Sequence, residues 1–353
     1  MKIISTLILL CATTQFAIGQ TRAEKLDSIC SEIHANHQEV GMSIGFIDSG
    51  KVDYFNYGNL SRESERGVDE NSIYEIGSIT KLFTAHLLAQ AQCEGKLAVD
   101  DFIDAYLPSD FLLSENIKDK LRISDLATHQ SGLPDLDFEK LLALNPTQPL
   151  NISKETIHSL INDSTELSDY GTYRYCNLGY VLLGMILETA YAKSFDELIK
   201  EKILEPAKMA HTYTTDFDAE NSVTGYDLKG VEQEYFDWND LAAPAGLLKS
   251  NASDMVKFLE QLLADEGAIS EATAITETTF YKTALGEVGF GQIIERHGDD
   301  TFFYKTGDTF ACSSILAYDK ETNWGIVILI NQHNSDLIRE LINTNYEQVF
   351  GQK

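Results

Sequence analysis

Between Thr301 and Ile330 three strand-like segments follow one another across short turns, and this run limits the fold more than any other feature of the chain. They are Thr301 to Thr306, Cys312 to Tyr318, and the near-continuous apolar run Trp324 to Ile330, with Asp319-Lys320-Glu321-Thr322 turning between the last two. Reversals that short join antiparallel neighbours, because a parallel pair needs a long crossover. Near the other end, Met42 to Ile47 and Val52 to Tyr57 alternate around Asp48-Ser49-Gly50-Lys51, the pattern of a hairpin. Amphipathic helices open and close the chain, over Thr21 to His37 and Ser335 to Val349. The simplest assembly is one antiparallel sheet built from both chain ends, with the terminal helices on one face.

From about Ile103 to Asp240 the pattern is helical instead, and Ser194-Phe195-Asp196-Glu197 matches a capping box at one helix start. The fold class is therefore α+β. Residues 20–102 and 241–353 form the sheet domain, and residues 103–240 are an inserted, mostly helical subdomain. A cleft is expected where the two parts meet.

The 353 residues suffice for a sizeable core, and 43% hydrophobic with 23% charged is an ordinary globular composition. The net charge of −28, from 55 acidic against 27 basic residues, repels phosphate backbones and anionic lipid and so argues against nucleic-acid and membrane-surface roles. Residues 1–19 read as an export signal: Lys2 is the positive start, Ile3 to Ala12 a short apolar stretch, and Ala17-Ile18-Gly19 a cleavage site before Gln20. A lipoprotein acylated at Cys11 is the rival, disfavoured by the bulky Leu10 before it. No later segment has the ~18 consecutive apolar residues of a membrane helix, so the expectation is a periplasmic or secreted protein. Cys30, Cys93, Cys176 and Cys312 form no C-x-x-C pair and read as buried small side chains. His34 and His37 lack the further ligands of a metal site and read as helix surface.

The chemistry centres on Tyr74-Glu75-Ile76-Gly77-Ser78-Ile79-Thr80-Lys81. Gly77 and Ser78 fit a helix start, Ile79, Leu82, Phe83, Leu87 and Ala91 give one apolar stripe, and Gly95 fits the stop. Three residues apart on that helix, Ser78 and Lys81 stand roughly 60° apart and ~4.5 Å along the axis, on one face. Such a lysine either loses its proton through desolvation and becomes a base for the serine, or stays charged and stabilises a neighbouring anion. By itself Ser-x-x-Lys is a weak signal and better fits a capping serine followed by a solvent-facing lysine.

Two further blocks decide between these. Tyr175-Cys176-Asn177 precedes the helical run Leu178 to Tyr191, and Lys305-Thr306-Gly307 ends a strand. In this order, and across this layout, the three motifs resemble those of the class C β-lactamase and penicillin-binding protein family. Leu126-Ala127-Thr128-His129-Gln130-Ser131-Gly132-Leu133-Pro134 and Pro244-Ala245-Gly246-Leu247-Leu248-Lys249-Ser250 are similar to the family as well, so the resemblance runs from about Met42 to Ile330.

The resemblance implies an acyl-enzyme mechanism with Ser78 as nucleophile, served by Lys81 and Tyr175. Asn177 would hydrogen-bond the substrate or Lys81, and Lys305, with Thr306 beside it, would hold Tyr175 ionised and attract an anionic substrate group. The backbone N–H groups of Ser78 and Asp308 would form the oxyanion hole. Two lysines beside one phenol would bring its pKa down from ~10 toward working pH. The implied partner is a small-molecule or peptide substrate, with no metal and no cofactor. The family includes β-lactamases, D-alanyl carboxypeptidases, D-amino-acid peptidases and esterases, and the complete Lys-Thr-Gly points to the amidases. Asp308, where the family usually has a small residue, is expected to set its carboxylate near Lys305 and weaken the pull on a substrate carboxylate. His129 reads as a turn-former.

Overall fold

The apolar run Trp324–Ile330 is buried along its whole length, and its place in the sheet is the reason. A computed structural model describes residues 20–136, 138–146, 149–162, 167, 169–214, 219–235, 241–246, 248–284, 286–297 and 300–351. The export signal read at residues 1–19 lies outside the described residues. The chain opens with α1 (Arg22–His34), passes through the hairpin β1 (Met42–Asp48) and β2 (Lys51–Tyr57), and reaches β3 (Tyr74–Glu75) just before α2 (Thr80–Cys93). The middle holds α3 (Ile123–Ala127), α4 (Phe138–Leu144), α5 (Lys154–Asn162), α6 (Asn177–Tyr191) and α7 (Phe195–Ile199), then the small pair β4 (Gly225–Tyr226) and β5 (Glu232–Gln233). The chain returns through α8 (Ala243–Gly246), β6 (Lys249–Ser250), α9 (Ala252–Leu263) and α10 (Ala268–Thr276). It ends with β7 (Tyr281–Thr283), β8 (Gly286–Val288), β9 (Ile293–His297), β10 (Asp300–Asp308), β11 (Ser313–Asp319), β12 (Trp324–Ile330) and α11 (Ser335–Asn345).

Strand order is β2-β1-β12-β11-β10-β9-β8-β7, with each neighbouring pair antiparallel. The sheet is thus built from both chain ends, as the sequence implies. β12 lies between β1 and β11, with Ile328 opposite Ile44 on one side and Ile315 on the other. Ile326, Ile328 and Ile330 pack with Phe46 beneath Leu26 of α1 and Leu337 of α11. Val327 and Leu329 point the other way, into a cluster that takes in α9, α2 and α6 and continues to Leu126 and Ile157. A central strand covered on both faces has no polar side, so its residues read as a run rather than an alternation. Strands β7 to β9 and helix α10 go beyond the sequence reading. At the sheet edge β7 and β8 are three residues each and partly exposed, which leaves no period to detect.

Helix α2 is also more enclosed than one apolar stripe implies, since each residue from Thr80 to Ala91 is buried. It runs through the middle of the molecule against α6, α8 and α10. Its polar side chains therefore need internal partners. Thr84 Oγ1 donates to Pro244 O at 2.8 Å, and His86 Nδ1 lies 2.8 Å from Leu82 O.

Candidate active site

Ser78 sits in the single turn Gly77–Ile79 that carries the chain from β3 into α2. Gly77 has φ +51, and a Cβ there would stand 2.7 Å from the backbone nitrogen of Asp308. A side chain at Gly307 would collide with the carbonyl of Ile76. Only glycine at both positions lets the end of β10 lie directly against the serine turn, and Ser314 Oγ donates to Ile76 O at 3.0 Å to fasten the contact. The backbone of Asp308 is thereby brought beside the Ser78 turn, where the family resemblance implies the second oxyanion donor.

Three motif side chains converge on the serine. Tyr175 Oη donates to Ser78 Oγ at 2.7 Å, and Lys81 Nζ lies 3.1 Å from the same oxygen. Lys81 is fully buried. Its Nζ donates to Asn177 Oδ1 at 2.7 Å and to the carbonyl of Ala245. The Tyr175 ring lies between two amines, with Lys81 Nζ 5.0 Å and Lys305 Nζ 4.8 Å from its centroid. His129, at φ +59, has the left-handed backbone of the turn expected there. Its ring packs 4.4 Å from that of Tyr175, and its Nδ1 accepts from the Cys176 N–H at 3.1 Å, so it also supports the Tyr-Cys-Asn segment.

Burial dominates the electrostatics. It holds Lys81 well below the ordinary lysine range, assisted by the charge of Lys305 and opposed by Asp135. It brings Lys305 down to about 8. It pushes the Tyr175 phenol up, against the hydrogen bond with Ser78. The expectation that two lysines lower the phenol is therefore reversed. Desolvation penalises every charge in the site, and so favours the neutral amine on Lys81 and the neutral phenol on Tyr175. A neutral Lys81 has two N–H groups and one lone pair. Asn177 Oδ1 and Ala245 O accept the two hydrogens, which leaves the lone pair facing the Ser78 hydroxyl.

The site opens into a cleft of about 430 Å³ lined by Ser78, Tyr175, Asn177, Lys305, Thr306 and Asp308, a volume suited to a small ligand. Thr306 and Asp308 are exposed at its rim. The Asp308 carboxylate lines the cleft and its charge reaches Tyr175, but it is anchored by two serines rather than set against Lys305, where the sequence reading puts it. Its Oδ1 accepts from Ser313 Oγ at 2.5 Å and from Ser335 Oγ at 2.8 Å, toward the start of α11. Side chains alternate along a strand, so positions 305 and 308 lie on opposite faces. One cysteine also departs from expectation: Cys30, Cys176 and Cys312 are buried, but Cys93 is exposed at the end of α2.

Sequence reasoning misses four further groups. Leu136, Leu150 and Phe310 give the cleft an apolar wall, and His333, whose Nδ1 lies 2.6 Å from Thr309 O, stands at its edge. Buried Glu75, just before the serine turn, is pushed up by burial. Asp135 binds Asn177 from the far side. It directly follows the block that ends at Pro134, and no local pattern signals it, because its partner Asn177 is 42 residues away. Among the described residues no cluster of three or more His, Cys, Asp or Glu side chains could hold a metal, and no helix is long and apolar enough to cross a membrane.

A family profile described as Beta-lactamase matches residues 26–349. The chain is 26% identical to a β-lactamase of Pseudomonas fluorescens, across 87% of this chain and 93% of that protein. It is 23% identical to protein flp of Staphylococcus aureus (strain NCTC 8325 / PS 47), across 94% of this chain and 67% of that protein. Among solved structures, the β-lactamase/D-alanine carboxypeptidase from Pseudomonas syringae has a TM-score of 0.81 at 20% identity, with 93% of this chain and 99% of that one covered. The octameric penicillin-binding protein homologue from Pyrococcus abyssi has a TM-score of 0.79 at 26% identity, covering 92% and 77%. Fold and relatives together define a serine hydrolase. The chain belongs to the beta-lactamase family.

Proposed function

We propose that the protein hydrolyses the amide bond of β-lactam or D-amino-acid peptide-like substrates through an acyl-enzyme on Ser78. The observation that carries this reading is the approach of Lys81 Nζ and Tyr175 Oη to one serine oxygen, 3.1 and 2.7 Å away, at the floor of a cleft that also holds Lys305. Neutral Lys81 takes the Ser78 proton as Oγ attacks the substrate carbonyl. The developing oxyanion accepts from the Ser78 and Asp308 N–H groups, donors typically worth ~10²–10³ each in rate. Tyr175, held protonated, gives its proton to the leaving nitrogen, and the resulting phenolate lies between the Lys81 and Lys305 ammonium groups. In deacylation a water gives its proton to that phenolate and attacks the acyl carbon, while Lys81 returns its proton to the departing Ser78 oxygen. Lys305 also faces a carboxylate on the substrate.

A carboxylesterase is the second reading, favoured by the apolar wall of Leu136, Leu150 and Phe310. Parallel incubation with a fluorescent penicillin, a chromogenic cephalosporin and a p-nitrophenyl ester separates them. The proposed amidase is labelled by the first and turns over the second. Turnover of the ester with neither label nor cephalosporin hydrolysis favours the esterase, and label without turnover marks a protein that penicillin merely traps. We also propose export, supported by Lys2, the apolar stretch Ile3 to Ala12 and the small residues of Ala17-Ile18-Gly19 before Gln20. N-terminal sequencing of the secreted protein should begin at Gln20.

A further inference from the structure

The proton relay described above leaves Asp135 unused, although it reaches deep into the site. It lies on the loop between α3 and α4, next to Pro134. Its Oδ1 accepts from the Asn177 backbone N–H at 2.6 Å, and its Oδ2 accepts from Asn177 Nδ2 at 3.2 Å. The Leu136 N–H donates to the same Oδ1 at 2.8 Å and fixes the carboxylate in turn. Because Asn177 is the first residue of α6, the carboxylate also meets the positive end of a fifteen-residue helix.

The two ends of an asparagine amide are nearly equal in shape and opposite in hydrogen-bonding character. A carboxylate only accepts, so Asp135 takes the NH₂ end and leaves Oδ1 to face Lys81 Nζ at 2.7 Å. With the amide reversed, an NH₂ group would meet the amine, and the lone pair of Lys81 would no longer be kept for Ser78.

We propose that Asp135 is a positioning residue for this reaction: it clamps the Asn177 amide and, through it, the geometry and charge of Lys81. The claim rests on the reading of Lys81 as the base.

The groups facing Lys81 divide by sign. Burial favours the neutral amine, as does Lys305 of β10, while Asp135 favours the ammonium; the Cys176 thiol, pushed up by burial to about 12, stays uncharged. Ser78, Tyr175, the Tyr180 ring 5.5 Å away and Ala245 O complete the surroundings, with neutral His129 behind Tyr175. A base that must take a proton and return it within one turnover needs this balance, and Asp135 is the anionic side of it.

The test is a kinetic pH profile of the full-length protein with the chromogenic cephalosporin, or with the p-nitrophenyl ester if only that is turned over. Asp135→Asn keeps the shape but removes the charge and can no longer select one end of the amide. Its kcat should fall about 10- to 100-fold, the usual worth of a charge-assisted hydrogen bond, with little change in KM. Its acid limb should move to lower pH, because loss of the anion eases deprotonation of Lys81. Asp135→Glu should keep the acid limb in place while losing part of kcat, and it supplies the comparison if the asparagine variant does not fold. In a double-mutant cycle Asp135→Asn and Asn177→Ala should be far from additive. An unmoved acid limb in Asp135→Asn, or additive losses in the cycle, would overturn the proposal. Retained activity in Lys81→Met would instead remove the base reading beneath it, so the two failures are distinct.

Discussion

On one face of the sheet Phe46, Ile326 and Ile328 pack beneath Leu26 of α1 and Leu337 of α11; on the other, α2 carries Lys81, Thr84, His86 and Gln90 to the same depth of burial. The first face gains stability from area alone, roughly 1.5–3 kcal/mol for each large apolar side chain fully buried. Its members are exchangeable for others of similar volume. On the second face every polar group needs a partner of the right kind, since an unpartnered one costs free energy on burial. Lys81 meets that need with Asn177 Oδ1, Ala245 O and Ser78 Oγ. The contrast teaches that one sheet can serve stability on one side and give up stability on the other for a reactive group.

Exchanging residues across the two faces sharpens this most. Lys81→Met should lower kcat by about 10³-fold, within the usual range for a removed acid–base group. Its denaturation midpoint should change little, because relief of the buried amine's desolvation offsets the loss of a donor to Asn177 Oδ1 and the Ala245 carbonyl. On the other face Ile328→Val should cost about 0.5–1.5 kcal/mol and leave kcat per folded molecule unchanged. Denaturant melts and initial rates on both variants check this, and a destabilised but active Lys81→Met would break the comparison.

A smaller effect separates the two lysines of the cleft. Lys305 titrates at about 8, so its ammonium is present below that pH and is lost as the pH rises through it. KM for a carboxylate-bearing cephalosporin should therefore rise several-fold between pH 7 and 9, while KM for a neutral ester stays flat. Lys305→Gln should flatten the cephalosporin curve at the higher value. Parallel rises on both substrates would mean that Lys305 does not meet the carboxylate.

The pattern of residues carries much of this architecture and less of its electrostatics. Turn lengths and alternation are local, so the hairpin Met42–Tyr57 and the order of β10, β11 and β12 are legible in the residues themselves. Helix spacing sets Ser78 and Lys81 on one face, and it is the resemblance to the family that implies Tyr175, Asn177 and Lys305 join them. The depth of α2 is not legible, because burial all round depends on α6, α8 and α10 closing over it. That same closure reverses the direction of the Tyr175 shift. Asp135 is beyond local patterns, since its partner is 42 residues away. The direction of Asp308 was readable in principle, as three positions along a strand exchange faces.

That change of face yields the smallest predicted effect. With its carboxylate held by Ser313 and Ser335, Asp308→Gly should change kcat/KM for the cephalosporin and for the neutral ester by similar factors. A rise confined to the cephalosporin would place the carboxylate back beside Lys305.

The identity of the nucleophile underlies all of these. Peptide mapping by mass spectrometry after reaction with a serine-directed acylating probe tests it most directly. One adduct is predicted, on the peptide that carries Ser78, and Ser78→Ala should lose both adduct and turnover while remaining folded. An adduct on any other residue, or labelling that persists in Ser78→Ala, would contradict the account.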